Sequence, residues 1–132
     1  MMELSIIKSI KNVYNELGCF HKENIYQSAL YIEFNNQNIT VQTEIMVPII
    51  YKEYTIGFCR ADIVLYDNAK PIYILELKSQ SSKLGNKEIF QLRKYLKYMN
   101  CSSGYIVNFY NELEIIYVTI DDHKKILHDS FL

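Results

Sequence analysis

Two short segments constrain this chain most: Arg60-Ala61-Asp62-Ile63-Val64-Leu65 and Ile74-Leu75-Glu76-Leu77-Lys78. Each is an apolar run interrupted by charge. Between them, Tyr66-Asp67-Asn68-Ala69-Lys70-Pro71 is rich in turn formers. The pattern predicts a β-hairpin with its loop centred on Ala69. Symmetry about Ala69 sets Asp62 directly opposite Glu76. Opposed side chains share a sheet face, with Cβ atoms roughly 4.5–5.5 Å apart. Lys78 lies two residues beyond Glu76 and so on the same face. Two like charges facing each other destabilise a hairpin, and a divalent metal between them would relieve the repulsion. The plainer reading is a cross-strand ion pair of Asp62 with Lys78, worth ~1 kcal/mol or less where exposed.

The rest of the chain supplies elements to cover that hairpin. Residues 3–17 carry Leu4, Ile7, Ile10, Val13, Tyr14 and Leu17 at helical spacing, and Gly18 suits the position just past a helix end. A second helix is expected over residues 22–34, with Ile25, Tyr26, Ala29, Leu30 and Phe34 on one side. Residues 39–51 alternate imperfectly and are rich in β-branched residues, which predicts a strand with Pro48 near an edge or bulge. Lys52-Glu53 turns into a strand over 55–66, and its partner spans 72–78. Residues 79–86 read as a loop and 87–99 as a helix. Residues 105–110 and 113–120 flank Asn111-Glu112 as a last hairpin, and the tail from Asp121 to Leu132 is expected to form one or two helical turns. The order α-α-β-β-β-α-β-β describes an α/β fold, a mixed sheet flanked by helices.

With 132 residues the chain suits a single domain, 1–132, around one core. At 49% hydrophobic and 22% charged it is composed like a soluble globular protein. Twelve Tyr, no Trp and only two arginines, Arg60 and Arg93, point to an AT-rich genome, such as that of a large DNA virus or an AT-rich microbe. A net charge of −1 excludes a global basic field, so nucleic-acid affinity would need a local patch. Cys19, Cys59 and Cys101 are far apart and odd in number, which argues against a disulfide framework or a structural zinc site and for small buried hydrophobes. No signal-peptide pattern opens the sequence, and no apolar run approaches the ~20 residues of a membrane span. The expectation is an intracellular protein, cytoplasmic or associated with nucleoid or nucleus, with no membrane partner.

Asp62 followed by Glu76-Leu77-Lys78 on the next strand resembles the signature of the PD-(D/E)xK nuclease superfamily, although Ala61 replaces the proline before the acid. Gln91 and Tyr95 on the next helix resemble the QxxxY element of RecB-type nucleases in that superfamily. Glu23 resembles the extra acid that many members supply from their first helical region. The chain further resembles the GxxExxY proteins, through residues 17–26, Ala29-Leu30, Glu44, 57–62, 76–78, 91–96 and 104–109, in that order. Phe20 stands where the glycine naming that motif belongs, while Glu23 and Tyr26 keep their spacing. Phe does not readily take φ > 0, so the turn before the second helix is the region most affected.

The resemblance implies a restriction-endonuclease-like core that cleaves DNA or RNA with Mg²⁺, or Mn²⁺ in its place. Asp62, Glu76 and the backbone carbonyl of Leu77 would hold the ion, since magnesium favours oxygen ligands and retained water. Glu23 would bind the metal or stand just behind it. Lys78 would orient the attacking water or stabilise developing charge. Gln91 would bond a phosphate or a ligand, with Tyr95 supporting it. Arg60, Lys83, Lys87, Arg93, Lys94 and Lys97 are the candidates for the backbone-binding patch. Each has a plainer alternative: Glu23 as a solvated helix residue, Gln91 and Tyr95 as surface and packing residues, the basic helix as an amphipathic element. His21, His123 and His128 show no ligand spacing. Glu44 fits a structural hydrogen bond as well as a metal contact. Two non-enzymatic functions compete: a nuclease-fold module that only binds nucleic acid, and an interaction protein, in one form a homodimer, using a Tyr-rich surface.

Overall fold

The computed structural model describes residues 2–126. Helices α1 (Met2–Leu17) and α2 (Glu23–Asn36) precede strands β1 (Thr40–Tyr51), β2 (Tyr54–Asp67) and β3 (Lys70–Lys78). Helix α3 (Asn86–Met99) then leads to β4 (Ser103–Asn108), β5 (Glu114–Thr119) and β6 (His123–Ile126). The strands form one six-stranded sheet in the order β1-β2-β3-β4-β5-β6. Every neighbouring pair is antiparallel except β3 and β4, which are parallel. A parallel pair needs a crossover, and α3 supplies it.

Two apolar layers sandwich the sheet. Ile6, Ile10 and Val13 of α1 and Tyr26, Leu30 and Phe34 of α2 sit at i, i+4 and about i+8, so each helix buries one stripe. They pack on Ile63, Leu65, Leu75, Leu77 and Val107. On the other face α3 buries Ile89, Leu92, Tyr95 and Leu96 against Val64, Ile74, Ile106 and Val118. Strands β3 and β4 are covered on both sides, which is why they read as continuous apolar runs.

Two-residue turns set the hairpin registers. Lys52 and Glu53 (φ +47° and +71°) join β1 to β2, and Asn68 and Ala69 (+51° and +63°) join β2 to β3, the positive-φ pair of a type I′ turn. The second turn corrects the expected loop centre: Asp67 pairs with Lys70, half a residue from the symmetry about Ala69. An irregularity between Leu65 and Tyr66 absorbs the difference, and the ladder then runs Leu65↔Tyr73, Val64↔Ile74, Ile63↔Leu75. That is the register symmetry about Ala69 predicts. Pro48 lies on edge strand β1 beside an irregularity at Ile49/Ile50, where a missing N–H costs no ladder bond.

The tail corrects a second expectation. Residues 123–126 are not helical; they pair with β5 from Val118↔His123 to Ile115↔Ile126. The open edge of β5 offers ladder partners that outweigh weak local propensity. Residues 127–132 of the expected helical tail, including His128, lie outside the described residues. Strand β4 begins two residues earlier than expected because Ser103 pairs with Tyr73. The cysteines are free, Cys101 buried and the others half-buried, and among the described residues no helix is long and apolar enough to cross a membrane.

Candidate functional site

Asp62 pairs with neither neighbouring strand. The β1–β2 ladder passes from Thr43↔Ile63 to Ile45↔Ala61 without it, and the β2–β3 ladder stops at Ile63↔Leu75. Glu44, which would face it on β1, is turned to φ +53°. Side chains satisfy the backbone of Asp62 instead. Its N–H donates to Glu76 Oε1 at 3.1 Å, and its carbonyl accepts from Gln27 Nε2 at 2.8 Å. Its own Oδ2 accepts the Leu77 N–H at 2.8 Å. The two acids are therefore adjacent, as expected, but interlocked through each other's strand rather than through a ladder pair.

Burial and mutual repulsion shape the electrostatics. Glu76 is only 5% exposed. Loss of solvent, and then the charge of Asp62, push its pKa up to about 8. Asp62 is also raised, chiefly by burial, with the Leu77 N–H opposing. The Glu23 charge raises both carboxyls, and the Lys78 charge lowers both. A buried carboxyl facing a half-buried one, each repelling the other, is a site short of positive charge. The donors are oxygens, which fit a hard divalent cation such as Mg²⁺. The Leu77 carbonyl leaves β3 on the same side as the N–H bound to Asp62, so it can join them. Among the described residues, no three His, Cys, Asp or Glu side chains gather closely enough to hold an ion. Glu23 thus acts on the pair through its charge and does not complete a tight acidic triplet.

Helix α3 adds Gln91 and Tyr95, four residues apart on one face. Gln91 Nε2 donates to Tyr95 Oη at 3.0 Å. Burial, followed by the Glu76 charge, pushes the Tyr95 hydroxyl up to about 12, so it remains a proton donor. Lys87 and Lys94 lie four and three residues from Gln91 on exposed helix surface, and Lys83 is exposed in the preceding loop. Arg60 bridges to Glu44 at 3.2 Å, both largely exposed, a pair worth under ~1 kcal/mol. Its charge still lowers Asp62. The structure does not bring Arg93 to the acids. Its guanidinium binds the Thr119 carbonyl at 3.1 Å and His123 Nδ1 at 3.2 Å, at the far end of β5 from Glu114. Lys97 lines a separate cleft with Lys70 and Ile72.

Three further residues support the site, and of these local sequence pattern singles out only Tyr26. Gln27 sits four residues after Glu23, so the two share a helix face, a spacing legible in advance. Asn108 ends the apolar run of β4 and is buried. Its Oδ1 accepts Gln80 N–H at 3.0 Å, and its Nδ2 donates to Glu114 Oε1 at 3.0 Å. Glu114 Oε1 also accepts Leu84 N–H at 3.3 Å, so this network fastens the loop after Lys78. Tyr26 stacks on Phe109 with centroids 4.1 Å apart. Its hydroxyl donates to the Gly18 carbonyl at 2.7 Å and accepts from His21 N–H at 3.3 Å. Tyr26→Phe keeps the stack and removes both bonds, so a loss of about 1–2 kcal/mol is expected. Thermal unfolding checks it, and an unchanged midpoint would show that water replaces the hydroxyl.

A comparison with curated proteins finds no match. Among solved structures the chain is similar to "Crystal structure of SSO0001", with a TM-score of 0.55 and 18% identity. The match covers 88% of this chain and 65% of that one, so the chain spans about two thirds of its length, and the likeness is one of fold. The model of the PD-(D/E)XK nuclease superfamily matches residues 2–118. That span holds the six-stranded sheet up to β5, the interlocked Asp62 and Glu76, and Lys78 beside them. By fold, by motif and by this match, the chain belongs to the PD-(D/E)XK nuclease superfamily.

Proposed function

We propose that this protein hydrolyses phosphodiester bonds in DNA or RNA with Mg²⁺, or Mn²⁺ in its place. The observation that carries the reading is the interlock of Asp62 with Glu76, which sets a buried carboxyl against a half-buried one beside Lys78. Asp62, Glu76 and the Leu77 carbonyl would hold the ion. A divalent ion in such a site supplies Lewis acidity and lowers the pKa of bound water. Lys78 orients the attacking water and counters negative charge growing on the phosphorus-bound oxygens. Gln91 and Tyr95 offer N–H and O–H donors to a phosphate oxygen or to Glu76. Glu23 stands behind the pair. Lys83, Lys87 and Lys94 supply the phosphate-binding patch. Tyr26, tying the α1–α2 turn together, supports assignment to the GxxExxY group. A duplex cutter of this size would work as a homodimer.

Titration calorimetry with Mg²⁺ and Mn²⁺ on the wild type and Asp62→Asn tests the metal site, and cleavage of plasmid DNA and single-stranded RNA tests the reaction. Wild-type binding that vanishes in the variant is the expected result. Lys78→Ala should still bind metal and cleave about 100-fold more slowly, ~3 kcal/mol of barrier. The net charge of −1 favours one rival, a module that kept the fold and only binds a strand. Nucleic-acid binding with no metal affinity in the wild type would establish that rival and sink hydrolysis.

A further inference from the structure

Phe20 is held in a strained backbone conformation. It has φ +75°, a region costly for a bulky side chain, and its own side chain is 71% exposed. Burial therefore does not offset the strain. Backbone strain of this kind collects at ligand sites. Its ring meets Tyr110 edge-to-face, with centroids 5.4 Å apart and planes at 79°. The two rings wall a cleft of about 600 Å³, whose other lining includes His21, Lys22, Glu23 and Ser79.

This cleft adjoins the acid pair. Glu23 belongs to both, since its charge reaches Asp62 and Glu76. Ser79 directly follows Lys78, and its hydroxyl donates to the His21 carbonyl at 2.7 Å, tying the α1–α2 turn to the end of β3. We propose that Phe20 and Tyr110 form a stacking platform for an unpaired nucleobase, so that the strand entering the Asp62–Glu76 site is single-stranded or locally frayed. The proposal rests on the phosphodiesterase reading and narrows its substrate. An exposed aromatic face with Lys22 at its rim matches what a base and its phosphate present together. Bases inside a duplex are covered by their neighbours and cannot reach such a ring. The cleft is too small and too charged to resemble an apolar protein-docking patch.

The test is fluorescence anisotropy with a labelled oligothymidine, a labelled oligouridine and a duplex of equal length. EDTA is present so that no cleavage intervenes. The wild type should bind a single strand more tightly than the duplex. Phe20→Gly should weaken single-strand binding roughly 5- to 150-fold, the value of one stacked base, and leave duplex binding unchanged. Its unfolding temperature should hold or rise, because glycine accepts the positive φ. Phe20→Tyr should retain binding. Unchanged single-strand affinity in Phe20→Gly, an equal loss on both probes, duplex preference, or no binding of either probe by the wild type would each overturn the proposal. Mn²⁺ calorimetry on the wild type separates the two ideas. Stacking without metal affinity would leave the platform standing and remove hydrolysis.

Discussion

Glu76→Gln is expected to abolish divalent-metal binding and to lower phosphodiesterase activity about a thousandfold, ~4 kcal/mol of barrier. The substitution nearly preserves shape, and the amide oxygen can still accept the Asp62 N–H that Glu76 Oε1 holds at 3.1 Å. What disappears is the buried charge. The same charge gives the wild type a distinctive pH dependence. Glu76 is held protonated up to about 8 by burial and by Asp62, and a metal binds only the carboxylate. Mg²⁺ or Mn²⁺ affinity should therefore rise close to tenfold per pH unit below about 8 and flatten above it, with proton release on binding.

Stability without metal should move the other way. The folded pKa of Glu76 lies above its ordinary value of 4.5. Between those values the native state keeps a proton that the unfolded chain has released. Stability thus falls as pH rises through this window, and above about 8 the full penalty is present. Thermal unfolding in EDTA between about pH 6 and pH 9 should show a falling midpoint in the wild type and a flatter profile in Glu76→Gln. Added Mn²⁺ should restore the wild type most at the alkaline end, by mass action. A wild-type midpoint that rises with pH in EDTA would mean that Glu76 is ionised in the apo protein.

Gly104→Ala is expected to cost about 3 kcal/mol or more, near the upper end for a forced overpacking. Gly104 faces Ile74 across the parallel β3–β4 pair. A Cβ there would stand 2.2 Å from the Ile74 carbonyl oxygen and 3.2 Å from its carbon. The obstacle is backbone, so no rotamer change relieves it. The strands would have to separate, and the same pair carries Glu76↔Ile106 and Lys78↔Asn108. Folded variant should accordingly show weakened metal affinity as well as a lower denaturation midpoint. A change within about 0.5 kcal/mol would show that the β3–β4 approach is looser than described.

The elements that the sequence made legible are those set by local pattern. Helical spacing through Ile10 and Val13, the apolar runs around Asp62 and Glu76, and the turn at Lys52-Glu53 each depend on residues within a few positions, although the first turn of α1 buries Ile6 and leaves the expected Leu4 exposed. Even the register near the acids followed from turn symmetry, although the turn is Asn68-Ala69 and an irregularity at Leu65/Tyr66 makes up the difference. The tail departs from the expected helical turns because β6 forms only against β5, a partner that local propensity does not contain.

By itself, then, the sequence determined the α/β order and put an acid, a second acid and a lysine on adjacent strands, because periodicity and side-chain alternation are properties of consecutive residues. Only the tertiary structure decided that Asp62 leaves both ladders and is held by Gln27, Glu76 and Leu77. It alone buried Glu76 and so raised its pKa, and it alone turned Arg93 away toward Thr119 and His123. Burial, desolvation and the approach of distant charges arise from packing between elements, and no stretch of neighbouring residues encodes them.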